Sequence, residues 1–288
     1  MGSSFLDAVK QGKNQGWRYG CAILVILVFW LGFGQIAITT FFLRLPISTE
    51  QARQHFPDFS LPAYVSIHLP FIFLLIGVLL AVRWVHQRPI TTLVGSDAHL
   101  HWKRLFASFG VCWLLLATGL GVRYVLNPQE YVWTFQPEQW FLFLPVALLL
   151  TPLQTAAEEV LFRGYLLQSL GLLTRHPIPL VGLTSAPFAI AHFLNPEMQR
   201  GAVWVSLLYL TFSIFLAVIT LKDNRLELAL GAHAGNNLFI LLIANSSDSA
   251  LLSPAILMIK EGSDPRLDLA ILLIQAMVFY WVFFGKQE

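Results

Sequence analysis

Charge is scarce in this sequence, and the scarcity decides its class. Lys, Arg, Asp and Glu make up 12% of 288 residues while 56% are hydrophobic, about half the charge of an ordinary soluble domain. With a mean hydropathy of +0.66, the chain is neither a soluble globular domain nor a disordered one. The net charge of +2 names no partner of its own, and no nucleic acid is expected. Cysteine is scarce too. Cys21 and Cys112 lie far apart with no Cys-x-x-Cys spacing, which excludes a disulfide framework and a thiolate metal site and leaves ordinary packing. No period of 20–50 residues repeats, so a solenoid is excluded. A cleavable signal peptide is not evident either: the first apolar run extends over about 25 residues and exceeds the short core of such a signal, so it reads as a retained span. The opening Met1-Gly2-Ser3-Ser4 lacks the Ser or Thr that acylation needs, carrying Leu6 there.

What the sequence does have is long apolar runs. They predict an all-α, polytopic helical membrane protein of about eight spans, at roughly 19–43, 62–82, 104–124, 140–167, 179–195, 201–221, 227–245 and 267–284. The connections are short, and residues 1–288 read as a single integral domain with its partner the lipid bilayer. With the N-terminus placed in the cytoplasm, only Arg44, Arg53, Arg123, Arg200, Lys260 and Arg266 of the eighteen Lys and Arg fall outside. The other twelve fall inside, so a multi-pass cell-membrane protein with both termini cytoplasmic is expected. Trp84, Trp102, Trp133, Trp140 and Trp281 fall near span ends, where amphipathic rings settle at the headgroups. Asn245-Ser246-Ser247 fits a glycosylation sequon in an outside loop. The fourth run continues through Leu172, a helix of nearly 50 Å at about 1.5 Å per residue. A tilt, a protrusion, or a break near Pro152 or Gly164 is therefore expected.

Two acids stand well inside a span, Glu158 and Glu159, side by side in Glu158-Glu159-Val160-Leu161-Phe162-Arg163-Gly164. An acid at that depth costs on the order of 2.5–3.5 kcal/mol, so it should face the protein interior and have a partner. His192 ends Phe188-Ala189-Ile190-Ala191-His192 in the fifth run, and His233 and Asn237 share a helix face in the seventh. His68, in the second run, lacks polar company in sequence. Counting from the cytoplasmic ends places Glu158, His192 and His233 at comparable depths of roughly 12–20 Å. These residue types suit water-mediated hydrolysis. A buried Glu can act as general base, a His within reach can shuttle the proton, and His and Asn donors one turn apart can hold an oxyanion. Glu159 and Arg163, at i and i+4, read as a structural ion pair that fixes Glu158.

The three strings, in order and spacing, resemble the motifs of the CAAX protease and bacteriocin-processing (CPBP, or Abi) family of intramembrane proteases. The resemblance covers roughly 140–245, the expected catalytic core. It implies a glutamate-dependent endopeptidase opening toward the cytoplasm, acting on a peptide or membrane-protein substrate. Glu158 and His192 would activate water, His233 and Asn237 would line the oxyanion site, and Glu159 and Arg163 would support them. No cofactor is expected to be required. Were zinc present, Glu158, His192 and His233 would be its ligands, although the His-x-x-x-His pair common in zinc proteases is absent. Competing readings are a non-catalytic scaffold or regulator of the same fold and, ranked last, a proton-coupled transporter, for which inverted repeats are missing.

Overall fold

The computed structural model describes residues 4–44, 60–97, 99–260 and 264–285. The acylation start, most of the loop over 45–61 and the charges Arg53 and Lys286 lie outside the described residues. Each of the eight apolar runs folds as a helix, and the chain is an all-α, polytopic membrane protein. Among the described residues, six helices are long and apolar enough to cross a bilayer: α1 (Gly16–Phe41), α2 (Leu61–Val85), α3 (Trp102–Leu126), α4 (Pro137–Leu170), α6 (Ala202–Asp223) and α8 (Pro265–Phe284). The other two, α5 (Pro177–Ala191) and α7 (Glu227–Leu242), are shorter. The first ends against His192 and the second carries His233. The fifth run thus ends earlier than expected, and His192 caps α5 rather than lying inside it.

Helix α4 does not break at Pro152. It stays α-helical through Glu159, widens into a π-helical stretch over Val160–Leu166 that contains Arg163 and Gly164, and resumes over Leu167–Leu170. Such wide turns inside an α-helix are rare and frequently mark functional sites. Here the turn follows directly on the two glutamates.

Helix α7 is the innermost element and packs most extensively on α3, then on α4. The cause is its small-residue stripe, Gly231-Ala232-His233-Ala234-Gly235. A Cβ on Gly231 would stand 2.2 Å from the Leu105 carbonyl oxygen, and one on Gly235 would stand 3.3 Å from that of Phe109. Only glycine lets the two backbones approach so closely. His233 lies two residues from each glycine, about 200° round the helix, and so turns toward α4.

The apolar runs gave no sign of a small sheet. Three-residue strands β1 (Tyr131–Trp133), β2 (Ala244–Ser246) and β3 (Leu257–Ile259) pair in the order β1-β3-β2, the first pair antiparallel and the second parallel. The sheet ties the α3–α4 connection to the α7–α8 connection. Strand β2 contains Asn245, which is buried, donates to the Leu251 carbonyl at 2.8 Å and to Ser253 Oγ at 2.7 Å, and accepts from the Ser246 N–H. The sequon reading is therefore overturned. The amide is consumed by the fold and is not offered to a glycosylating enzyme. Trp84, Trp102, Trp133 and Trp281 are exposed, whereas Trp140 turns inward and donates its ring N–H to the Leu242 carbonyl.

Candidate active site

Helix α4 presents Glu158 and Glu159 about 100° apart, and the two carboxylates meet different neighbours. Glu159 is fully buried. Its Oε1 accepts from Arg163 Nη1 at 2.7 Å and from His233 Nδ1 at 2.8 Å. Arg163, one turn later and also fully buried, reaches α6 through Nη2, which donates to the Ser213 carbonyl at 3.0 Å and to Ser213 Oγ at 2.6 Å. Its guanidinium lies 4.9 Å from the centre of the Phe188 ring on α5. Arg163 thus locks three helices, and the Glu159 carboxylate it holds orients the imidazole of His233.

That orientation settles which nitrogen of His233 faces the site. An ionised carboxylate only accepts, so Nδ1 carries the hydrogen given to Glu159. Nε2 is left pointing at Glu158, 3.5 Å from Oε2. Arg163, Glu159, His233 and Glu158 therefore form a continuous chain of polar contacts across α4 and α7. Phe188 and Phe212 stand edge-on to the His233 ring, which excludes water from one side of it.

His192 and Asn237 complete the set differently. The Nδ1 of His192 lies 2.7 Å from the Phe188 carbonyl, and since a carbonyl only accepts, Nε2 is the free position of the neutral ring. The ring stacks on Tyr209, centroids 4.3 Å apart. Among the described residues, no hydrogen bond joins His192 to Glu158 or Glu159. Asn237, one turn after His233, donates to Gln154 Oε1 at 3.3 Å, and Gln154 lies one turn before Glu158.

A cavity of about 450 Å³ is lined by Glu158, His192, His233 and Asn237, with Gln154 and Tyr209 beside them. Glu159 and Arg163 lie behind this wall. Its other walls are largely apolar and include residues of α1 and α2. The motifs do not contain Gln154 or Tyr209. Gln154 was open to discovery from its i, i+4 spacing to Glu158, whereas Tyr209 has no signal in an apolar run. Among the described residues, no group of three or more His, Cys, Asp or Glu side chains is arranged to hold a metal ion. Glu158 and His233 face each other, but His192 is not brought into a ligand set with them.

Comparison with known proteins finds a family match on this part of the chain. The family described as type II CAAX prenyl endopeptidase Rce1-like matches residues 137–239, the stretch holding all six motif residues. Over 289 aligned residues the chain is 32% identical to YyaK, an uncharacterized protein of Bacillus subtilis (strain 168), covering 97% of this chain and 96% of that one. No solved structure matches.

Proposed function

Because the chain belongs to the Rce1-like, CAAX-type family of intramembrane proteases, we propose that it is an endopeptidase that hydrolyses peptide bonds inside the bilayer by Glu158-activated water. The observation that carries this reading is the chain from Arg163 through Glu159 and His233 to Glu158, ending at the wall of a cavity that His192 and Asn237 also line. A water held by Glu158 and the free Nε2 of His192 loses a proton as its oxygen bonds to the scissile carbonyl carbon. His233, carrying a second proton on Nε2, and the Asn237 amide donate to the oxygen that gains charge. The C–N bond then breaks, and the proton taken from water passes to the leaving nitrogen, giving a carboxyl group and an amine. Glu159 and Arg163 touch no reacting atom in this scheme; they fix the orientation and position of the His233 ring.

Substrates would be peptides or membrane-protein segments, with both termini of this enzyme in the cytoplasm. Reporter fusions at Glu288 and near Glu130 should then read opposite sides of the membrane. His233 and Asn237 supply the polarisation, so no metal is required by the scheme. The test is to incubate purified protein and its Glu158→Ala form with a peptide library and map cleavage by mass spectrometry, with and without a chelator. Cleavage by the first alone, little slowed by chelation, is expected. Equal cleavage by both forms would remove Glu158 from the chemistry. Stoichiometric zinc, with activity lost on its removal and regained on its return, would instead make Glu158, His192 and His233 metal ligands.

A further inference from the structure

His68 is the one histidine of the chamber wall that the motifs do not contain. It sits on α2, outside the matched stretch 137–239, yet it lines the same cavity as Glu158 and His192. Its side chain is 1% exposed. The Nδ1 of His68 lies 2.7 Å from the Tyr64 carbonyl oxygen. A carbonyl cannot donate, so Nδ1 bears the hydrogen, and the other nitrogen of the neutral ring is a lone-pair acceptor. That nitrogen, Nε2, is buried and has no hydrogen-bond partner among the described residues.

The acceptor is held in place. Tyr64, one turn earlier on α2, packs its ring 4.2 Å from that of His68 and hydrogen-bonds Thr151 Oγ1 on α4 at 2.5 Å. This pins the parallel helices α2 and α4 in register. Counting on from the pinned pair, His68 stands level with Thr155, about 4.5 Å along the axis from Glu158. A buried acceptor without a donor costs free energy, and such atoms in a folded protein call for an explanation. The donor that suits this one is neutral, because the surrounding walls are largely apolar and a neutral N–H is less costly to take out of water there than a cation. A peptide main chain lying across Glu158 brings such donors with it.

We propose that His68 binds the substrate, accepting a hydrogen bond at Nε2 from a main-chain N–H of the peptide near the scissile bond. The inference rests on the endopeptidase reading above. His68 is then a binding residue for extended peptide backbone and independent of side-chain identity, which suits an enzyme that must grip its substrate through the one feature all peptides share.

The test uses full-length protein in detergent and a quenched-fluorescent peptide that a mixed library shows to be cleaved. His68→Phe keeps the ring and removes the acceptor, and His68→Gln restores an acceptor on a flexible chain. KM should rise about 10-fold in His68→Phe with kcat changed less than about twofold, and His68→Gln should recover part of the loss. A series of peptides N-methylated at single positions supplies a readout that packing alone would not move. In the wild-type enzyme one methylation near the cleavage site should raise KM by a similar factor, and in His68→Phe that same methylation should add no further penalty. An unchanged KM in His68→Phe, or the same methylation profile in both proteins, overturns the proposal while loss of cleavage in Glu158→Ala keeps the endopeptidase reading standing. If His68→Phe does not fold, a wild-type profile with no sensitive position overturns it. Absence of cleavage by the wild-type protein overturns both.

Discussion

Helices α3 and α7 lie against one another and are built on opposite rules. Within the most apolar window of α3 only 6% of the residues are buried, whereas twelve of the sixteen residues of α7 are. The apolar surface of α3, including Leu114, Val125 and Leu126, is turned outward, where lipid tails solvate it as well as protein would. Helix α7 has no such face. Its interior position comes from Gly231 and Gly235, whose missing side chains admit the α3 backbone, and from His233, whose ring is held by Glu159. The contrast teaches that in a bilayer apolar length builds the shell, while small and ionisable residues build the core, because burying one more leucine gains little against lipid.

Substitutions can break this contrast or sharpen it. The largest effect belongs to the chamber: His192→Ala should lower kcat by about 10²–10⁴ and leave the fold intact. His192 sits at a helix end, and among the described residues its side chain hydrogen-bonds to the Phe188 carbonyl of its own turn. Turnover near wild type on a defined peptide would remove it from the chemistry. Next comes the ionic core. Arg163→Ala leaves Glu159 buried without its guanidinium partner, with His233 alone against it, which should cost about 3–5 kcal/mol of stability and show as a lower midpoint of thermal unfolding in detergent, with activity falling too. An unchanged midpoint would mean that the pair is not what holds α4, α5 and α6 together.

Third, Gly231→Ala should destabilise by about 1–3 kcal/mol, since the new methyl meets the Leu105 carbonyl unless α3 and α7 move apart. Smallest is Leu114→Ala on the lipid side, which should change stability by no more than about 0.5 kcal/mol. Measured side by side, one methyl added in the core and three carbons removed on the lipid side of the same helix pair sharpen the comparison most. Equal losses for Gly231→Ala and Leu114→Ala would erase the distinction between shell and core.

Much of this fold was legible because each span is a predominantly apolar run, and hydropathy alone locates such runs. The short lengths of α5 and α7 were less so: Phe193 and Leu194 are apolar enough to extend the fifth run, but the chain turns at His192. The π-helical stretch of α4 leaves no compositional mark, and three-residue strands are too short to show a period of two. Asn245 matched a surface motif and is instead a buried hydrogen-bonding hub, because a three-residue pattern carries no information on burial. In the site, the two glutamates and Arg163 stood out as charges in an apolar run. The partnership of His233 with both carboxylates, the stacking of His192 on Tyr209, and the approach of His68 from α2 arise only from packing between distant segments.

The central claim is that water, activated at Glu158, adds to a peptide carbonyl. The most direct measurement is cleavage of a defined peptide in water enriched in oxygen-18 under single-turnover conditions, followed by mass spectrometry of both fragments. The account predicts one heavy oxygen in the new carboxyl terminus with the wild-type protein and no cleavage above background with Glu158→Ala. Cleavage without incorporation of the label, or labelled product formed equally fast by Glu158→Ala, would contradict it.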